Sequence, residues 1–268
     1  MHGLKGYNEI IETISWGLQQ LGHGVTYAIN EISTDAANIV FGAQTLPFKI
    51  LELMPRDSII YNFEQMRGLD PGAIREELKY CGQHFQIWDY SPFNIAAWEA
   101  TGPKYPVKVV PIGHAPVLER IPKPAEQDID ILFYGSTAPS RLAAFDVLAK
   151  ANLTSVYVCG LYGDARDQLI ARSKIVLNIN YLASNIFEVA RVSYLLSNKK
   201  AVVSLQQPGA AIEEDLLRAV KFSPPSTLLQ DCIGLIDHVT ERCALEEAGY
   251  SIMARRDIRP ILASAVAE

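Results

Sequence analysis

Apolar residues recur along the chain at two periods. Ile10, Ile11, Ile14, Leu18 and Leu21 return every three or four positions, which predicts a helix over 7–21 ended by Gly22 and Gly24. Short runs of β-type residues follow at 25–29, 37–41 and 58–62. Residues 71–80 read as a helix with proline in its first turn, and 92–100 as a second helix capped by Ser91. Strands are expected between and after them, at 85–88 and 107–111.

The pattern breaks over 115–128, where Pro116, Pro122 and Pro124 lie among polar residues. That composition reads as a linker. Alternation then resumes. Strands are expected at 129–134, 155–159, 175–179, 201–204 and 220–223. Helices are expected at 140–151, 164–173 and 186–196, with two or three more in the last 43 or so residues. Continuous Val/Ile/Leu strands alternating with helices predict α/β architecture with parallel sheets covered on both faces. Two such blocks predict two Rossmann-like, doubly wound domains, 1–120 and 121–268, facing across a cleft. The first helix begins within a few residues of Met1, so the N-terminal domain is expected to be trimmed or to lack its first strand.

Composition narrows the classes. The chain has 268 residues, 24 Lys+Arg against 30 Asp+Glu, and a net charge of −6. This argues against a nucleic-acid partner. No apolar run is long enough to span a bilayer, and no secretory leader is expected. The four cysteines are far apart and form no CxxC pair, so a cytoplasmic location is expected. There is no P-loop, no GxGxxG after a strand, no HExxH and no GxSxG, and the five histidines are scattered; no metal site is expected.

Candidate chemistry gathers in the second block. Ser184, Asn185, Ile186, Phe187, Glu188 and Arg191 follow the strand at 175–179 and open a helix. A helix N-terminus there suits a diphosphate; Glu188 suits ribose hydroxyls and Arg191 suits a phosphate. The competing reading has Glu188 complementing the helix dipole and Arg191 on the surface. The loop Tyr134-Gly135-Ser136-Thr137, with Arg141 beyond it, and the loop Gly160-Leu161-Tyr162-Gly163 occupy equivalent strand ends. Tyr162 either covers a base or packs. In the first block, Glu64 follows a strand and is the candidate general base, with a loop cap as its alternative. Asp89 occupies the corresponding strand end and reads foremost as a cap or turn residue, His114 as a hinge residue with a phosphate contact as its alternative, and Lys199-Lys200 as a solvated turn.

Phe187-Glu188-x-x-Arg191, with Leu195-Leu196-x-Asn198 and Val202-Val203-Ser204 after it, resembles the C-terminal domain of bacterial GT-B glycosyltransferases. The similarity is to the family 1/4-like group of spore-maturation, capsule and cell-surface polysaccharide type. Ile131–Ser136, Ile175–Asn178, Asn62-Phe63-Glu64-Gln65 and Trp88-Asp89-Tyr90-Ser91 are similar to further segments of that group. The resemblance implies a nucleotide-diphosphate sugar as donor substrate, no separate cofactor and no obligatory metal. It implies a glycan, lipid-linked or protein acceptor held by the first domain, with peripheral membrane contact compatible with such acceptors. Carried onto this sequence, the donor site comprises Gly135, Ser136, Asn185, Glu188 and Arg191. Where many GT-B enzymes carry a second glutamate, the stretch 180–184 has no carboxylate. That motivates an alternative, a non-catalytic nucleotide-sugar or partner-binding module. A non-hydrolysing epimerase would need an acidic cluster for proton abstraction, for which the sequence offers only Glu64 and Asp89.

Overall fold

A computed structural model describes residues 4–181 and 186–267. Its elements run, in chain order, α1 (Asn8–Gln20), β1 (Ile39–Phe41), α2 (Phe48–Leu53), β2 (Ile59–Asn62), α3 (Glu76–His84), β3 (Gln86–Asp89), α4 (Ile95–Thr101) and β4 (Lys108–Val109). There follow β5 (Ile129–Tyr134), α5 (Pro139–Ala149), β6 (Ser155–Val158), α6 (Asp164–Arg172), β7 (Ser173–Asn178), α7 (Val189–Ser197), β8 (Ala201–Leu205) and β9 (Lys221–Ser223). Three helices close the chain: α8 (Leu228–Asp237), α9 (Val239–Ala254) and α10 (Ile258–Val266). Among the described residues no helix is long and apolar enough to cross a membrane.

The chain forms two compact units. One comprises Met1–Thr13 and Gly113–Asp257, the other Ile14–Ile112 and Ile258–Glu268. The second holds a parallel sheet of four strands in the order β1-β2-β3-β4. Its core is built from Leu51, Ile60, Leu78, Phe85, Ile87 and Trp98. The first holds a parallel sheet of five strands in the order β6-β5-β7-β8-β9. There Ile131, Phe133, Ile175, Leu177 and Val203 pack under Leu148 and Leu228. Strands β5 and β7 are buried almost throughout, which is why 131–134 and 175–177 read as apolar runs.

Several local expectations are corrected. Residues 25–29 form no strand; Tyr27 and Ile29 are each 57% exposed, so a run of β-type residues without a neighbouring strand stays outside the sheet. The helix expected at 71–80 is a 3-10 turn, Pro71–Ala73, followed by α3, with Ile74 and Arg75 extended between them. The helix expected at 92–100 likewise opens as a 3-10 turn; Ser91 caps it, its Oγ accepting from the Phe93 N–H at 3.3 Å. Helix α2 has six residues, too few to show a period in sequence. The two or three helices expected in the last 43 or so residues are three, and Arg256 between the last two pairs with Glu213 and Asp215.

Candidate functional site

In the five-stranded unit β5 is followed in sequence by its neighbour on one side, β6, and β7 then returns to its other side. Strand order therefore reverses between β5 and β7. In open parallel sheets that reversal leaves a crevice beyond the carboxyl ends of the strands, where ligands bind. A pocket of about 330 Å³ lies there, lined among others by Gly135, Ser136, Arg166, Glu188 and Arg191.

The β5 loop is shaped by Gly135, whose φ of 147° lies where side chains are strained. A Cβ at this position would come 3.0 Å from Arg191 Nη2 and 3.5 Å from Arg141 Nη1. Glycine thus lets two guanidiniums approach the backbone. Gly163, with φ of 62°, turns the β6 loop into α6, and half-buried Tyr162 beside it lines the pocket.

Glu188 is the hub of the charged side chains. Its Oε1 accepts from Arg141 Nη2 at 2.6 Å and from the Tyr181 N–H at 2.9 Å, and its Oε2 pairs with Arg191 Nη2 at 2.9 Å. Arg141 is 2% exposed and fully engaged: Nε donates to Ile179 O at 2.8 Å and Nη1 to Ser136 O at 2.9 Å. Burial pulls its guanidinium below the usual value, against the pull of Glu188. Arg191 keeps a side-chain exposure of 12% and donates to Asn178 Oδ1 at 3.4 Å. Its guanidinium lies over the rings of Phe133, at 5.3 Å, and Tyr134, at 5.6 Å.

The helix expected from 186 starts at Val189, leaving Glu188 at the cap position. Ile186 is bridged to Ala211 and the Phe187 N–H donates to Ala211 O at 2.9 Å, so these two buried residues are extended despite their helical spacing. The first N–H groups of α7 have no partner within the helix, and Ala190 lines the pocket. Asn185 lies outside the described residues.

Two further groups complete the wall. Arg166, in the first turn of α6, is 5% exposed; its Nη2 donates to Glu9 Oε1 at 2.7 Å and its Nε to Asp167 Oδ1 at 2.9 Å. Burial would lower its pKa, but Tyr134, Glu9 and Asp167 outweigh that and hold it raised. Glu9 comes from α1, and Tyr134 is a β5 residue whose phenol burial pushes up to about 12. The pocket thus carries three guanidiniums against two carboxylates, a local cationic excess in an acidic chain that suits a multiply charged anion. Sequence reasoning passed over Arg166 and Glu9, and named Tyr134 only as part of the loop after β5. The one readable signal was Arg166 itself, four positions before buried Ile170 on the inward stripe of α6.

Glu64 belongs to the four-stranded unit, just past β2. It is half-buried, and Gln44 Nε2 donates to its Oε1 at 2.6 Å. Asp89, paired in register with Asn62, is wholly buried. It accepts from Asn62 Nδ2 and Trp98 Nε1, both at 2.7 Å, and from Asn94 Nδ2 and the Ser91 N–H. Burial pushes its carboxyl up to about 6 while these donors restrain the rise. His114 is buried in the five-stranded unit between Glu119 and Ser197, away from the pocket lining. The Lys199-Lys200 pair is not one solvated turn. Lys199 pairs with Glu247 at the surface, whereas Lys200 is 3% exposed and donates to Ala171 O and Ser173 O at the end of α6.

No protein-family model and no curated protein matches the sequence. Solved structures do. HepE of Anabaena, in complex with UDP and glucose, aligns with a TM-score of 0.62 at 12% identity over 82% of this chain and 73% of its own. A variant of S. aureus TarM in complex with fondaparinux, α-GlcNAc-glycerol and UDP gives 0.60 at 11% identity, over 85% of this chain and 54% of its own. This chain therefore spans about half the length of TarM. A glycosyltransferase from Rickettsia africae gives 0.57 at 10% identity, over 97% and 93%. The fold is that of the GT-B glycosyltransferases, as the motif around Glu188 implied.

Proposed function

We propose that this chain is a glycosyltransferase that moves a sugar from a nucleoside-diphosphate donor to an acceptor hydroxyl. The observation that carries the reading is the arginine-rich pocket at the strand-order reversal, facing the first turn of α7. HepE and TarM, of the same fold, hold UDP. Gly135 and Ser136 allow the diphosphate close to the backbone, and Tyr162 covers the base. The α7 N-terminus and Arg191 stabilise the charge that develops on the leaving diphosphate, a role that oriented dipoles and a guanidinium fill without a metal ion. Glu188 holds Arg141 and Arg191 in place and keeps acceptor capacity for a ribose hydroxyl. In the other unit Glu64, steered by Gln44, takes the proton of the acceptor hydroxyl. The acceptor is a glycan, lipid-linked or protein hydroxyl, and the reaction runs in the cytoplasm.

Calorimetry with UDP, GDP, ADP and dTDP, followed by donor-hydrolysis and transfer assays, tests this. Binding of one diphosphate with turnover of its sugar conjugate is expected. Binding with no turnover on any acceptor assigns the chain to a non-catalytic module, and absence of binding removes the nucleotide reading.

A further inference from the structure

Glu64 is held by side chains from outside its own loop. Among the described residues its main chain makes no hydrogen bond to another backbone group. Asn62 Oδ1 accepts from the Glu64 N–H at 3.2 Å. The Glu64 carbonyl accepts from Asn62 Nδ2 at 3.2 Å and from Asn94 Nδ2 at 2.9 Å. Asn94 Oδ1 takes the Met66 N–H at 2.8 Å, two residues further on. Each amide also donates to Asp89: Asn62 Nδ2 lies 2.7 Å from its Oδ2, and Asn94 Nδ2 lies 3.1 Å from its Oδ1. An ionised carboxylate only accepts, so Asp89 fixes which way both amides face.

The Glu64 side chain is held as well. Gln44, buried in the 3-10 turn Ala43–Thr45 after β1, donates from Nε2 to Glu64 Oε1 at 2.6 Å. Among the described residues nothing engages Oε2 of this half-buried carboxylate. A loop that only had to turn would satisfy its polar groups with its own backbone or with water. Here Gln44, Asn62, Asp89 and Asn94, all buried, converge from the ends of β1, β2 and β3 and from the turn before α4. Burying them carries a desolvation cost. They meet on one residue beyond the carboxyl end of a parallel strand, the place where ligands bind in open sheets. A reacting group needs such support, because misplacement by about 1 Å costs about 100-fold in rate.

We propose that Gln44, Asn62 and Asn94 are positioning residues for Glu64, with Asp89 orienting the two asparagines. The inference rests on the sugar-transfer reading, with Glu64 as its base, and adds the residues that make that base effective. The asparagines set where the carboxylate stands, and Gln44 fixes Oε1 and leaves Oε2 to act. The proton of the acceptor hydroxyl passes to Oε2 as the hydroxyl oxygen bonds to the anomeric carbon and the bond from that carbon to the diphosphate oxygen breaks.

The test is a double-mutant cycle on the full chain, with UDP-, GDP-, ADP- and dTDP-glucose as donor probes and methanol as acceptor probe. Glu64→Gln is expected to lower kcat about 100-fold. Gln44→Met and Asn94→Ala should each lower kcat about tenfold and leave the donor KM within about twofold. In a Glu64→Gln background the same two substitutions should cost less than about twofold, because they act only through that carboxylate. A merely structural role would persist in that background. Thermal melting establishes that the variants are folded, and Gln44→Met suffices where Asn94→Ala is not. A folded Gln44→Met with wild-type kcat, or a loss undiminished in the absence of the Glu64 carboxylate, overturns the positioning role and leaves sugar transfer standing. Full activity of Glu64→Gln removes Glu64 as the base, and wild-type protein that turns over none of the donors removes the transfer reading; the proposal falls with either.

Discussion

The two units of this protein put buried polar side chains at the same place, the carboxyl ends of parallel strands, and use them oppositely. In the four-stranded unit, Asp89 meets Asn62, Asn94, Trp98 and the Ser91 N–H, a closed set with donors on every side. In the five-stranded unit, Arg166 and Arg191 are ion-paired too, but they line a pocket. Burial of charge alone does not separate a structural group from a binding one. The separation comes from whether the surrounding groups close the charge off or leave it facing a cavity.

The largest effect expected from breaking this contrast is at the closed site. Asp89→Ala leaves several buried donors without an acceptor and should cost about 3–5 kcal/mol of stability, measured by urea denaturation. A loss below about 1 kcal/mol would mean the cluster is not closed. The same group carries a pH signature. With its folded pKa near 6 and an ordinary value of 3.8, the folded state holds the extra proton between them. The Asp89 contribution is therefore fully present below pH 3.8 and is lost as pH rises through 6.

At the open site the effect should appear in function. Arg191→Ala is expected to lower kcat about 100-fold, in line with removal of one oriented donor, while the melting temperature falls only by a few degrees. Equal transfer rates in variant and wild type would take Arg191 out of the site. Gly135→Ala should cost about 1–2 kcal/mol from its positive φ and displace Arg191, so nucleotide affinity falls along with stability.

The smallest effect belongs to a buried cation that is structural, Lys200. Burial lowers its pKa to about 8 from 10.5, so between those values the unfolded chain holds the proton and the folded chain does not. Stability should rise across that window. Between pH 8 and 9 wild type should gain roughly 1 kcal/mol over Lys200→Met; a flat difference would show that Lys200 remains charged when buried.

How much of this was legible in sequence depends on whether the signal is local. Strands β5, β7 and β8 stand out because parallel strands covered on both faces carry apolar runs, here 131–134, 175–177 and 201–203. Residues 25–29 carry equal β character and form no strand, because pairing is decided by a neighbour elsewhere in the chain. The same divide runs through the site. Gly135, Ser136, Tyr162, Glu188 and Arg191 follow from their places just beyond strands. Arg166 and Glu9 come from α6 and α1, and only the folded chain brings them to the β5 loop.

The reversal of strand order between β5 and β7 has an evolutionary consequence. The notch it creates is a property of connectivity, owed to no particular side chain, and it persists whatever residues the flanking loops carry. Outside Gly135, the loops at 135–138 and 160–163 can therefore exchange residues, and with them the lining of the notch, while the strands beneath stay the same. Specificity in such a scaffold can drift quickly over a sheet that changes slowly.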